Sequence, residues 1–153
     1  MSRNEKSSWA LVAARFLLAF IFVMSGLNKL ANLDQAAQYI ASQGLPAPAL
    51  LAVVAGCVEF IAGLSLLLGI GASAGGVLLA LYMIPVTLVF HDFWNVGAAE
   101  RQMQFIQFMK NLAIEGGLIY MAVFGAGEFS LDAWLARHGK LPLWYSRRRP
   151  TAV

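Results

Sequence analysis

Cysteine is nearly absent from this sequence: Cys57 is the only one in 153 residues. A single cysteine excludes an intrachain disulfide and any Cys-x-x-Cys exchange chemistry. Histidine is almost as scarce, with two instances, His91 and His138. No glycine-rich phosphate loop follows a predicted strand, and no serine lies in a nucleophile motif. The sequence therefore carries no signature of the common nucleotide-binding or hydrolytic enzymes.

Charged residues are also few. They make up 12% of the chain, whereas 59% of its residues are hydrophobic and the mean hydropathy is +0.68. Soluble proteins contain about twice that share of charge, so this balance predicts an integral membrane protein with no separate soluble domain. The formal charge of +3 does not indicate nucleic-acid binding, because the positive residues lie mainly at the two ends of the chain.

Four apolar stretches are long enough to cross a hydrocarbon layer of ~30 Å as helices that rise ~1.5 Å per residue. We predict spans at about residues 9–30, 49–68, 74–90 and 103–125, after a polar N-terminal segment at 1–8. The predicted fold class is therefore all-α, an integral membrane four-helix bundle. The second and third spans are separated by a tight turn and should be antiparallel neighbours.

Two shorter helices are predicted outside the spans. Residues 33–42 can form a surface helix before the glycine- and proline-containing segment 44–48. In the C-terminal region, residues 126–153, Ser130 can cap a short amphipathic helix that Gly139 ends. We expect this C-terminal helix to lie on the membrane interface.

Positive residues predict the orientation. Seven lie in the two terminal segments, whereas the two loops on the other side carry only Lys29 and Arg101. The positive-inside rule then places both termini in the cytoplasm. His91 and His138 would face opposite sides of the membrane, so we expect no metal or haem site. The seven residues are Arg3, Lys6, Arg137, Lys140, Arg147, Arg148 and Arg149, the last three following Trp144 as an aromatic anchor.

The fourth span carries a polar stripe. Four of its residues follow one another at steps of three and four, so they share one face of the helix. A carboxylate near mid-depth is costly in lipid, so Glu115 must face protein or trapped water. Glu59, in the second span, is another acid at mid-depth. The stripe consists of Gln104, Gln107, Asn111 and Glu115.

Two cations accompany the two acids within the spans. Arg15 lies in the inner third of the first span and Lys110 in the outer third of the fourth, while Lys29 ends the first span on the far side. Two positive and two negative groups can pair inside a bundle, although Lys110 can equally reach the outer headgroups. The predicted polar centre consists of Arg15, Glu59, Asn111 and Glu115.

Three interpretations of this centre remain open. It can be a structural cluster that determines how the helices pack. It can be a pocket in which a desolvated acid exchanges protons with a quinone or quinol head group that enters sideways from the membrane. It can be a path for protons or small solutes, for which a narrow bundle has little room. His91 and Trp94 belong to an outer rim that could contact a ligand.

Five segments of the sequence form a recognisable set in this order: Arg15-Phe16 with Phe22-x-x-Ser25-Gly26-x-x-Lys29, Glu59-x-x-x-Gly63-x-x-Leu66-Leu67-Leu68-Gly69, His91-Asp92-Phe93-Trp94, Lys110-Asn111-Leu112-Ala113 with Gly116-Gly117, and Gly125-x-Gly127-x-x-Ser130-Leu131-Asp132. With these segments the chain resembles the DoxX family of small membrane proteins over roughly residues 11–135. The resemblance implies a four-span bundle in a bacterial cytoplasmic (inner) membrane. It also implies a link to redox enzymes, since the family is named after a subunit of a thiosulfate:quinone oxidoreductase.

We therefore expect a membrane component of a redox system that contacts quinone or quinol, and an oxidoreductase subunit if it is an enzyme. A partner protein would supply the electrons, because the sequence offers nothing to hold a flavin or metal, and no covalently bound cofactor is expected. The alternative is a non-catalytic membrane partner, or an assembly or stress-response protein, whose polar cluster only fixes helix packing. The small-residue pairs Gly71/Gly75 and Gly76/Ala80 could serve a homo-oligomer as easily as the bundle.

Overall fold

A computed structural model describes residues 3–139 of the chain, with side chains from residue 9 onward. Within that part every regular element is a helix, which confirms the all-α prediction. The predicted anchor Trp144 and the basic residues 147–149 lie outside the described residues. The helices are α1 Arg3–Ala31, α2 Leu33–Ser42, α3 Pro48–Leu68, α4 Ala72–Phe90, α5 Ala98–Phe124 and α6 Leu131–Arg137.

Local sequence signals account for the ends of α3. The helix starts at Pro48, where the missing N–H would have had no helical partner. It ends at Gly69, whose φ of +69° belongs to the left-handed region that glycine favours, and the Ile70 amide bonds back to the Ser65 carbonyl at 3.0 Å. This tight turn brings α4 directly back along α3.

Small residues let α1 and α3 pack as the most extensive helix pair. A methyl group on Gly26 would lie 2.5 Å from the Phe60 amide nitrogen, so only glycine permits this approach of the two backbones. Gly63 meets the backbone of Val23 in the same way, at 3.0 Å. Glu59 lies on α3 directly before Phe60, and the pairing therefore carries its carboxylate into the interior of the bundle.

The glycines of α4 serve the bundle as well. A methyl group on Gly76 would lie 2.9 Å from the Ala122 amide nitrogen on α5, and one on Gly75 would lie 2.8 Å from Ser65 Oγ on α3. Gly75 and Gly76, which the sequence left available for a homo-oligomer, are thus buried between helices of one chain. The long helices follow one another as neighbours in the order α1, α3, α4, α5, with α2 packed on α3.

Among residues 3–139, three helices are long and apolar enough to cross a membrane: the Trp9–Ala31 part of α1, α3 and α4. Large side chains on their outer faces are exposed, including Leu17, Ile61 and Leu81, as lipid contact requires. α5 has 27 residues but is not among these three, because its polar residues lower its hydropathy. A fourth span and the orientation of the termini remain predictions.

Candidate functional site

Glu59 is buried at the junction of α1, α3 and α4, where Lys29 is its counter-charge. The Lys29 ammonium donates to both carboxylate oxygens, at 3.0 and 2.8 Å, and to Ser25 Oγ at 2.7 Å. The Tyr82 hydroxyl donates to Glu59 Oε1 at 2.6 Å. The three ammonium protons and both carboxylate oxygens therefore have partners, which is the condition under which a buried ion pair is tolerated.

Arg15 does not reach this cluster. Its guanidinium is buried and donates to the carbonyl oxygens of Ala126 at 2.7 Å and Phe129 at 3.0 Å, so it fastens the segment after α5 to α1. Arg15 and Lys29 are fourteen residues apart on one helix, which is about 21 Å. The prediction of a single polar centre containing Arg15 and Glu59 is therefore wrong. A nearer lysine, which the sequence placed at the end of the span, reaches Glu59 instead.

The segment held by Arg15 also locks the turn between α3 and α4. Ser130 caps α6 as predicted, accepting from the Ala133 amide at 3.2 Å. The Asp132 carboxylate accepts from the Gly71 amide at 2.9 Å, and the Asp132 amide donates to the Gly69 carbonyl at 2.9 Å. The C-terminal motif thus has a structural role: it fastens α6 across this end of the bundle.

Gln104, Asn111 and Glu115 of the polar stripe on α5 face α4 or its C-terminal end, and the stripe residues differ in how their hydrogen bonds are satisfied. Gln104 bonds His91 at 3.0 Å, Gln107 accepts from Lys110 at 3.1 Å, and the Asn111 amide donates to Thr87 Oγ1 at 3.1 Å. Glu115 is the exception, because its Oε2 is buried without a hydrogen-bond partner among the described residues. Such atoms are rare in folded proteins, and among the described residues the only other one is the Nε of Arg15.

Glu115 lies in a groove between α4 and α5 with a volume of about 150 Å³, open along one side. Most of its wall is apolar. Its polar groups are Thr87, Asn111 and Glu115. Asn111 and Thr87 already hydrogen-bond each other. The groove thus joins Asn111 and Glu115 of the predicted centre and separates them from Arg15 and Glu59. Its apolar wall consists of Met83, Ile84, Leu88, Phe108 and Leu112.

The remaining predicted site residues are Lys110 in the middle of α5, and His91 and Trp94 in the segment between α4 and α5. Lys110 is exposed. His91 is tied to Gln104, and Trp94 packs edge to face against Phe108 with ring centroids 5.9 Å apart. Trp94 therefore contacts a residue of the groove wall without lining the groove itself.

The sequence did not identify Lys29 as the counter-charge of Glu59. It also gave no indication that Tyr82 bonds Glu59 or that Thr87 and Phe108 line the groove. A signal for Lys29 was available, since Ser25 and Lys29 are four residues apart and share a helix face with Gly26 close by. Tyr82 and Thr87 lie in a span with hardly any polar side chains. The sequence does not say which way that span is rotated.

Comparison with known proteins gives a consistent result. A family model described as DoxX matches residues 10–92, more than half of the chain. Inner membrane protein YphA of Escherichia coli (strain K12) is 32% identical over 122 residues, which cover 80% of this chain and 87% of the relative. Inner membrane protein YqjF of the same organism is 29% identical over 124 residues, covering 81% and 90%. No solved structure matches the chain.

The residues matched by the family model include the whole cluster around Glu59 but only one wall of the groove that contains Glu115. Lys29, Glu59 and Tyr82 all fall within residues 10–92, as does the α4 wall of the groove. The α5 wall, with Asn111 and Glu115, lies beyond the matched residues.

Proposed function

The chain belongs to the DoxX family and is a bacterial inner membrane protein, and from this premise we propose that it is the membrane component of a redox system that binds a quinone or quinol head group in the α4–α5 groove. The observation that carries the proposal is the unpartnered Oε2 of Glu115 at the wall of this groove. A ligand that brings a hydrogen-bonding group to this position would remove an energetic defect of the free protein.

The size and chemistry of the groove suit a ring from the lipid phase. An open groove of about 150 Å³ with mostly apolar walls has room for one benzene-sized ring. A quinone head group is such a ring, with oxygen atoms at opposite ends. Its faces would pack on the apolar wall, while an oxygen atom would meet Asn111 and Glu115. Amide and carboxyl groups can exchange hydrogen bonds with both carbonyl and hydroxyl oxygens.

In this proposal the protein positions the ring and exchanges a proton with it. Reduction of a quinone to a quinol takes up two electrons and two protons. The carboxyl group of Glu115 would exchange one of these protons with the ring oxygen that it contacts, and water at the membrane surface would supply or take up the other. The electrons would come from a separate redox protein, because the proposal assigns no electron-carrying group to this chain.

The alternative function, a membrane partner whose polar cluster only fixes packing, is favoured by a different observation. Every polar atom of the Lys29 and Glu59 side chains has a partner within the cluster, so this ion pair needs no ligand. We therefore assign Glu59 to helix packing, and the ligand site to Glu115.

The test uses the full-length protein in lipid vesicles, titrated with a decyl-chain benzoquinone. We expect saturable binding to the wild type and binding at least about tenfold weaker to Glu115→Leu, which loses a hydrogen bond to an acidic group. The thermal stability of Glu115→Leu should be unchanged or higher, because the substitution removes a buried unsatisfied oxygen. Glu59→Gln should instead lower the thermal stability and leave binding by the folded protein unchanged.

Glu100→Gln is the matched control, since Glu100 is an exposed acid in the first turn of α5 outside the groove. It should behave as wild type in both measurements. Absence of saturable binding to the wild type would contradict the proposal, and so would equal binding by Glu115→Leu.

A further inference from the structure

Three aromatic rings meet at the end of the groove nearest the α4–α5 loop. Phe108 lines the groove, and behind it lie Phe93 and Trp94, with centroids 5.4 and 5.9 Å from its own. The interplanar angles are 74° and 79°, so both contacts are edge to face, a favoured arrangement of aromatic pairs. Phe108 is therefore supported from the loop side and presents part of its surface to the groove.

The loop that carries the two supporting rings is itself held in place. His91, at its start, bonds Gln104 on α5 at 3.0 Å, and Asn95 donates to Asp92 at 3.0 Å within the loop. The ring of Phe108 is thus supported by a constrained segment rather than by flexible chain.

Phe108 and Glu115 lie at two ends of the same groove. They are seven residues apart on α5, which is about 10.5 Å along the helix, with Asn111 between them. A ring packed against Phe108 would therefore point its far edge at Asn111 and Glu115.

From this geometry we infer that Phe108 is the specificity-determining residue of the groove, an aromatic end wall that selects a flat ring over an acyl chain. The inference rests on the proposed function, since it assigns the selectivity of the same site. In a membrane the competing occupant is a lipid tail, which fits an apolar groove equally well. A tail cannot form the aromatic pair with Phe108, whereas a quinone ring can.

The experiment compares a decyl-chain benzoquinone with decan-1-ol, which has the same chain and no ring, for binding to the full-length protein in vesicles. Phe108→Leu should weaken quinone binding about three- to tenfold, which corresponds to an aromatic pair worth about 0.7 to 1.4 kcal/mol. Binding of decan-1-ol should be unchanged. Phe108→Tyr keeps the ring and should retain the preference for the quinone.

Phe105→Leu is the matched control, because Phe105 also packs edge to face on Phe93, at 5.2 Å, but does not line the groove. It should bind the quinone as the wild type does. If the wild type binds the quinone and the two leucine variants bind it equally well, the role of Phe108 is overturned while the proposed function stands. If the wild type shows no saturable quinone binding, the proposed function itself fails, and this inference with it.

Discussion

The hydroxyl of Tyr82 on α4 donates a hydrogen bond of 2.6 Å to the Glu59 carboxylate on α3, while the next residue, Met83, lines the groove that contains Glu115. Two consecutive residues of one helix thus contribute to two different polar sites. The first site is saturated by groups of the chain itself. The second has an unsatisfied carboxyl oxygen. We therefore expect substitutions at the first site to change the stability of the bundle and substitutions at the second site to change ligand binding.

The contributions of Lys29 and Glu59 to the free energy of unfolding should be strongly coupled. Lys29→Met leaves the Glu59 carboxylate, whose side chain is 6% exposed, without its counter-charge, so we expect a loss of roughly 3 kcal/mol in the free energy of unfolding. The 30% exposure of the Lys29 side chain should keep the loss near the low end of the range for buried pairs. The loss can be measured by titrating the protein in mixed micelles with a denaturing detergent and following its unfolding.

The double variant Lys29→Met/Glu59→Leu is the informative comparison. Replacing both charges by apolar groups removes the desolvation penalty, so its stability should recover most of the loss. If the losses of the two single variants simply add in the double variant, the two side chains are not coupled and the packing role assigned to them is wrong.

Tyr82→Phe should destabilise the bundle by about 1.5 kcal/mol, because it removes a hydrogen bond to a charged group and leaves the rest of the side chain in place. Tyr39→Phe serves as the control: Tyr39 is exposed, and its ring stacks on Phe90 with centroids 5.2 Å apart, a contact that phenylalanine preserves. Thermal unfolding of both variants in the same lipid would show the difference. Equal melting temperatures for the two would refute the prediction.

Asp132→Ala should loosen α6 without unfolding the bundle. The substitution removes the carboxylate that accepts from the Gly71 amide, a bond worth about 1 to 2 kcal/mol. Trypsin should then cleave after Arg137, in the last turn of α6, faster than in the wild type. Asp132→Asn retains an acceptor oxygen and should be cleaved at a nearly normal rate. A cleavage rate that is the same in all three proteins would show that Asp132 does not hold α6.

Ala47→Gly should stabilise the protein. Ala47 has a φ of +48°, in the left-handed region, where a side chain costs about 1 to 2 kcal/mol. Glycine removes this strain, although its greater freedom in the unfolded chain offsets about 0.4 to 1 kcal/mol of the gain. The matched substitution Ala49→Gly, within α3, should instead lower stability by about 0.5 to 1 kcal/mol. Thermal unfolding of the pair should give shifts of opposite sign, and shifts of the same sign would exclude strain at Ala47.

Much of the fold could be predicted because its signals are local. The short helix at 33–42 and the cap at Ser130 depend on residues close to them in the chain, and the structure has both. The expectation that Glu59 needs a counter-charge also holds, since Lys29 pairs with it at 2.8 Å. Its identity could not be predicted, because helical periodicity gives the face and depth of a residue but not the rotation of neighbouring helices. Lys29, at the end of its span, has a stem long enough to reach the acid.

The candidate site could also be predicted only in part, because the rotation of α4 is not encoded in its periodicity. Periodicity placed Asn111 and Glu115 together on one face of α5, and both line the groove. The other wall comes from α4, whose uniformly apolar sequence gives no indication of which residues face α5. Phe108 could be seen only once the structure had placed Phe93 and Trp94 behind it.

Among the described residues the backbones of α1 and α5 approach each other at few points, and the two helices meet mainly through side chains such as Leu18, which lies beside Gly117. α5 is therefore held mostly by α4, through close backbone approaches such as the one at Gly76. A larger side chain at Gly76 should detach α5 before any other long helix, while α1 and α3 stay paired.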